Sequence, residues 1–148
     1  MSTTYRFIEA APSAVFAVLG DGWLFPSWVV GASRIRSVDD AWPAVGSHIH
    51  HSFGSWPLVL DDVTTVLEWD PPRRVVFQPK GWPIGEARVE IEIKERRGGS
   101  YVRMVEYAVK GPGMLVPGLV MNPVLHIRNV EALQRLAWLA EGGAGSPA

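Results

Sequence analysis

The chain has 148 residues and a formal net charge of −1; 47% of its residues are hydrophobic and 20% charged, the proportions of one ordinary globular domain. Basic residues pair only at Arg73-Arg74 and Arg96-Arg97, which leaves no electrostatic footprint for nucleic acid or an anionic membrane. The lack of cysteine excludes disulfides, thiol catalysis and thiolate metal sites. The first residues show no basic segment leading into an apolar one, and no window is apolar for long enough to span a bilayer. A soluble, cytoplasmic protein without integral membrane association is therefore expected.

Taken in order, Thr4 to Ala11 alternates as a first strand does. Pro12 opens a helix through Leu19, with Ala14, Val15, Val18 and Leu19 on one side, and Gly20-Asp21-Gly22 ends it. Trp23 to Trp28 reads as a short aromatic turn or helix. From Ala32 the period becomes strand-like, broken at Trp42-Pro43, Gly54 to Pro57, Asp70 to Pro72, Lys80 to Gly85 and Gly98-Gly99. The runs between these breakers predict strands over 32–39, 47–54, 58–69, 73–79, 85–96 and 100–110.

Val116 to Glu141 is the long segment with a sustained 3.6-residue apolar period, about 39 Å if helical throughout. On a wheel of about 100° per residue, Leu119, Val130, Leu133, Ala137 and Ala140 share one arc. His126 falls near the middle of that arc and Asn122 and Asn129 at its edge, while Arg128, Glu131 and Arg135 fall opposite. Pro117 suits the first helical position, and Asn122-Pro123 predicts a kink. The pattern is that of an α+β domain over residues 1–141: a seven-stranded curved antiparallel sheet around a long C-terminal helix, with two short helices between the first and second strands. Gly142 to Ala148 reads as a flexible tail.

The hairpin at Gly98-Gly99 permits a deduction about faces. A two-residue turn there pairs Lys94 with Arg103, Ile93 with Met104, Ile91 with Glu106 and Val89 with Ala108. Cross-strand partners share a face, so Val89, Ile91, Ile93, Met104 and Ala108 point inward and Arg88, Glu90, Glu92, Lys94 and Arg103 outward. Glu106 is then inside, where a carboxylate requires a partner, a water or a ligand. In a meander, alternate connections lie at one end of the sheet. That brings together the Gly54–Leu58 loop, the Gly81–Gly85 loop and the Gly111–Leu115 lead into the helix. Trp56-Pro57 and Trp82-Pro83 form repeated tips there, either the rim of a pocket mouth or an interaction patch.

Several stretches together resemble a known family: PSAVFAVL from Pro12, Asp21, Trp28, Trp42 to Gly46, Trp69 to Arg74 (WDPPRR), Gly98 to Arg103, and Asn129 to Leu133 with Leu136 and Glu141. In order and spacing these are similar to the polyketide cyclase/dehydrase-like branch of the START-type helix-grip superfamily, called SRPBCC, over nearly the whole chain. The resemblance implies a sheet gripping the terminal helix around a deep cavity for a small apolar or aromatic ligand. The family spans aromatase/cyclases, lipid and quinone carriers and hormone receptors, and has no universal catalytic motif.

Three readings follow. In the first, the protein binds a small hydrophobic or aromatic molecule of lipid, polyketide or quinone type, without a cofactor. Trp28, Phe77, Ile91, Met104, Glu106, Asn122 and His126 line the cavity, Trp56, Trp82 and Met114 stand at the mouth, and Met121 joins them if the kink turns it inward. In the second, Glu106 and His126 are an acid–base pair of a polyketide cyclase or dehydratase, since a carboxylate in an apolar cavity and an imidazole both titrate usefully near neutrality. In the third, the Trp-Pro tips dock a protein or membrane. A homodimer is compatible with all three. His48 and His50 share a strand face, but no carboxylate sits at matching spacing, so no metal is expected. Asp61-Asp62 point to opposite faces and form no carboxylate pair, and Gly111-Pro112-Gly113 lacks the basic residue of a phosphate loop.

Overall fold

A computed structural model describes residues 1–55, 57–81 and 85–145. The chain runs β1 (Ser2–Ile8), α1 (Pro12–Leu19), a 3-10 turn (Gly22–Leu24), α2 (Phe25–Trp28), β2 (Ala32–Val38), β3 (His48–Ser55) and β4 (Leu58–Asp70). It continues with β5 (Arg74–Pro79), β6 (Ala87–Arg96), β7 (Gly99–Ala108), a second 3-10 turn (Pro112–Leu115) and α3 (Gly118–Glu141). These are the elements that the breakers and periods predict, with ends moved by a few residues.

The strands form one antiparallel seven-stranded sheet in the order β1-β7-β6-β5-β4-β3-β2, a meander completed when β1 pairs with β7. Bulges in β2 and between Val66 and Glu68 of β4 add the local twist that curves the sheet. α1 starts at Pro12, where the missing N–H costs nothing, and buries Val15, Phe16, Val18 and Leu19. Phe16 meets Trp69 edge-on with ring centroids 5.0 Å apart, tying α1 to the end of β4. On the outer face Arg74 bonds Glu68 at 2.8 Å and Glu92 at 2.6 Å and also reaches Glu90, a charged lattice across β4, β5 and β6.

The turn between β6 and β7 is displaced from its expected place, yet the faces are preserved. Arg96 pairs with Gly99, so the two turn residues are Arg97 and Gly98, both at positive φ (54° and 77°) as a type I′ turn requires. Gly99 belongs to the strand because a Cβ there would lie 2.6 Å from the Ile8 carbonyl oxygen and from the Phe7 ring. Moving the turn by one residue shifts each pairing by two along the partner strand, which is face-preserving. Glu106 thus stays inside, but its opposite number on β6 is Val89, and Ile91 pairs with Met104.

The wheel needs a larger correction. α3 continues through Pro123 and buries Asn129, Ala132, Leu133, Leu136, Ala137 and Ala140 against β1, α1 and α2. Leu119 is 92% exposed and Val130 is also exposed, so the expected arc is rotated and His126 is not at its centre. Only the C-terminal half of α3 meets the solid core, where alanines permit close approach. The N-terminal half has apolar residues on several sides, and averaging over both halves misplaces the stripe. Beyond the helix, Ala144 N–H bonds to the Leu139 carbonyl at 2.9 Å and Gly145 lies against the backbone of Ala17, so this part of the presumed tail turns back on α1. Residues 146–148 lie outside the described residues. No helix among the described residues is long and apolar enough to cross a membrane.

A non-glycine residue in the left-handed region carries a cost of about 1 kcal/mol. Arg97→Asn, which creates the favoured Asn-Gly turn, is expected to stabilise the protein by about 0.5–1 kcal/mol. Gly99→Ala is expected to destabilise it by more than that. Urea unfolding of both variants against the parent checks the pair.

Candidate functional site

The space between the sheet and α3 is divided into two chambers. The inner one, about 40 Å³, is lined by Phe25 and Trp28 of α2, Phe53 of β3, Thr64 of β4, Phe77 of β5, Val89 of β6, Met104 and Glu106 of β7, and Arg128, Asn129 and Ala132 of α3, among others. The outer one, about 350 Å³, extends from Phe53, Leu60 and Pro79 past Gly81, Gly85 and Ala108 to Gly113, Met121, Val124 and Leu125. Phe53, Pro79, Glu106 and Arg128 belong to both linings and form the wall between them. Gly85 makes the outer chamber's shape possible: it adopts φ +122°, and a Cβ there would lie 2.0 Å from the Lys110 carbonyl oxygen, so only glycine lets the β5–β6 loop touch the end of β7.

Glu106 is 3% exposed and lies on the inward face of β7. Arg128 reaches it from α3, Nη2 donating to Oε2 at 2.6 Å. The other carboxylate oxygen, Oε1, is buried with no hydrogen-bond partner, as is Nδ2 of Asn129 one residue along the helix. The cation opposite Glu106 is therefore Arg128, the residue that the wheel places on the wet face. His126, the expected partner, is exposed, and its Nδ1 lies 3.3 Å from Thr4 Oγ1 on β1. Asn122 is likewise turned to the N-terminus, its Oδ1 accepting from the Met1 ammonium at 3.0 Å. Both residues sit on the side of α3 that covers β1, outside both chamber linings.

Of the other residues expected to line the cavity, Trp28, Phe77 and Met104 surround the inner chamber and Met121 the outer one. Ile91 is fully buried in the core but does not reach a chamber, because the shifted register puts Val89 opposite Glu106. Met114 is exposed on the 3-10 turn, next to Gly113 of the outer lining. Trp56 and Trp82 lie outside the described residues.

A series of rings borders the inner chamber. Trp42 stacks on Phe77 at 5.6 Å, Phe77 lies 6.3 Å from Trp28, Trp28 5.7 Å from Phe25, and Phe25 5.0 Å from His51, which meets Phe53 at 5.0 Å. His51 has no solvent exposure, and its Nε2 lies 2.8 Å from Thr64 Oγ1. Burial pushes its imidazole down to about 4, only partly opposed by the nearby Asp62 carboxylate. His51 stands in the same histidine cluster as His48 and His50 but is not among the residues expected to line the cavity. The available signal was the inward alternation Ile49, His51, Phe53 on β3. His48 and His50 face the other way and flank Asp39: His48 N–H donates to Oδ2 at 2.8 Å and holds that carboxyl below its ordinary value, with both imidazoles nearby. Among the described residues no group of three ligating side chains converges on a metal position.

Since the unfolded imidazole titrates near 6.5 and the folded one near 4, the unfolded chain takes up the extra proton between those values. The contribution of neutral His51 is whole above about pH 6.5 and is lost as pH falls to about 4, a total of about 3 kcal/mol. His51→Gln keeps a hydrogen-bonding side chain but cannot titrate. The stability difference between parent and variant, from urea midpoints across that pH window, is expected to change by about this amount; a constant difference refutes the assignment.

A divided cavity between a curved sheet and a terminal helix can be compared with known proteins. No curated protein matches the sequence. Among solved structures, a protein from Nitrosomonas europaea superposes with a TM-score of 0.72 at 16% identity, covering 95% of this chain and 93% of that one. The di-domain ARO/CYC StfQ from the steffimycin biosynthetic pathway gives 0.71 at 14% identity, with 95% of this chain on 50% of StfQ. Ara h 8.0201 gives 0.69 at 12%, over 95% and 96% of the two chains. These superpositions establish a shared fold. The sequence model described as "Polyketide cyclase / dehydrase and lipid transport" matches residues 2–141, from the first residue of β1 to the last of α3. With every element of the helix grip inside that match, the chain belongs to the polyketide cyclase / dehydrase and lipid transport family.

Proposed function

We propose that the protein binds a small hydrophobic or aromatic molecule, of lipid, polyketide or quinone type, in the outer chamber between the sheet and α3. The observation that carries this reading is the chamber itself. At about 350 Å³ it lies within the roughly 300–1,000 Å³ range of ligand pockets, and its surface is largely apolar, with Glu106 and Arg128 at the inner end and Asp62, Glu86 and Lys110 also in the lining. Apolar walls favour transfer of the ligand body from water by about 25 cal/mol per Å² buried, and the polar groups at the inner end orient it. Leu125→Trp should fill the chamber from the helix side and lower affinity for an apolar probe at least tenfold, with unchanged circular dichroism. Native mass spectrometry of the freshly purified protein is the companion measurement: an apolar molecule at near-stoichiometric occupancy supports the reading. An empty protein that also binds no member of a lipid and dye panel overturns it.

The family description and the similarity to StfQ favour a second reading, cyclisation or dehydration of a polyketide chain. In that case Glu106 is the proton-transferring group and Arg128, at 2.6 Å, is the charge beside it, because His126 is turned toward Thr4. Loss of polyketide turnover in Glu106→Gln with binding retained favours the enzyme; parallel loss of both removes that case.

A further inference from the structure

We propose that the site selects its ligand by a hydroxyl group, with Glu106 Oε1 as the acceptor that recognises it, and so discriminates against both carboxylates and ligands without a hydrogen-bond donor. This deepens the binding role proposed above and rests on it.

Three observations converge on that selection. First, Glu106 is only 3% exposed, yet only one of its oxygens is engaged. Oε1 has no donor in reach, and a buried acceptor without a donor is a deficit that a ligand O–H removes. Second, Asn129 Nδ2 on the same inner lining is a buried donor without an acceptor. A hydroxyl is the smallest group that donates and accepts at once, whereas an ether or a carboxylate only accepts. Third, the chambers differ in size in the way this division of labour needs. About 40 Å³ accommodates a group of water size but no ring, and about 350 Å³ accommodates an apolar body. The hydroxyl therefore enters at the dividing wall while the rest of the molecule stays in the outer chamber.

At the dividing wall the ion pair disfavours the obvious competitor. A lone arginine at the end of an apolar pocket would recruit a fatty or aromatic acid, but Arg128 already has its anion at 2.6 Å. A ligand carboxylate would have to approach Glu106 as a like charge or displace it from Arg128, leaving a buried carboxylate unpaired. Of the pair, Arg128 keeps its access to solvent, its side chain 36% exposed against 4% for Glu106, so the ion pair stays intact while a hydroxyl bonds Oε1.

The test uses three probes with one body and different heads: naphthol, its methyl ether, and naphthoate, titrated into the full chain by isothermal calorimetry. Naphthol is expected to bind at least tenfold more tightly than either, the margin of one hydrogen bond to a charged group. In Glu106→Gln an amide N–H₂ can replace the acceptor, so the margin should fall to within about threefold or reverse in favour of the ether. Equal affinities for naphthol and its ether in the parent protein overturn the inference but leave the binding role standing. Tightest binding of naphthoate also overturns it, making Arg128 the anchor. Failure of all three probes removes the binding role and the inference together. Should Glu106→Gln not fold, the parent's ranking of the three heads decides alone.

Discussion

A carboxylate withdrawn from water must be met by a cation or by donors, and in this protein Glu106 is met by Arg128 at 2.6 Å. The two side chains come from the last strand of the sheet and from the terminal helix, so their contact spans the two halves of the fold. Removing one partner would strand the other in a low-dielectric setting at a cost of several kcal/mol, discounted on the arginine side because that side chain is partly exposed. The pair also divides the interior into a water-sized chamber backed by aromatic rings and a larger one open toward the loops. An apolar pair of similar volume would satisfy folding equally well. The wall is polar but only half-satisfied, with Glu106 Oε1 and Asn129 Nδ2 buried without a partner.

The two halves of α3 have different physical roles. From Asn129 onward the helix is core: Leu133, Leu136 and Ala137 are fully buried, and alanines at 132, 137 and 140 bring it close to β1, α1 and α2. Before Arg128 it is a roof, with Met121, Val124 and Leu125 over the outer chamber and Leu119 and Ile127 exposed. Solid packing would make the whole helix insensitive to a ligand. A roof that packs on a chamber has fewer compensating contacts than the half that meets the core.

The sheet contributes rigidity on the opposite side. Four members of the ring series, Phe25, Trp28, Phe53 and Phe77, line the inner chamber; His51 stands behind them, bonded to Thr64 and kept neutral by burial. On the outer face, the Arg74 lattice with Glu68, Glu90 and Glu92 spans three adjacent strands. The sheet is thus braced on both faces where it borders the small chamber.

Much of this was legible in the residues. Breakers at Trp42-Pro43, Asp70 to Pro72 and Gly98-Gly99 divide the chain into its strands, because glycine and proline act on local backbone geometry and need no tertiary partner. Strand alternation placed Glu106 inside, and it survived a misplaced turn because faces depend on parity alone. What alternation could not supply was the pairing itself: Arg96 pairs with Gly99, where β1 leaves no room for a side chain, so the turn falls at Arg97-Gly98 and Val89, not Ile91, lies across from Glu106. The helix shows the same boundary. Its existence followed from a 3.6-residue period, but its rotation did not, because half of it faces a chamber and exposes Leu119 while drawing Arg128 inward. A wheel assumes that apolar residues seek the core; the demand of a buried carboxylate for a cation, visible only once sheet and helix are assembled, decided otherwise.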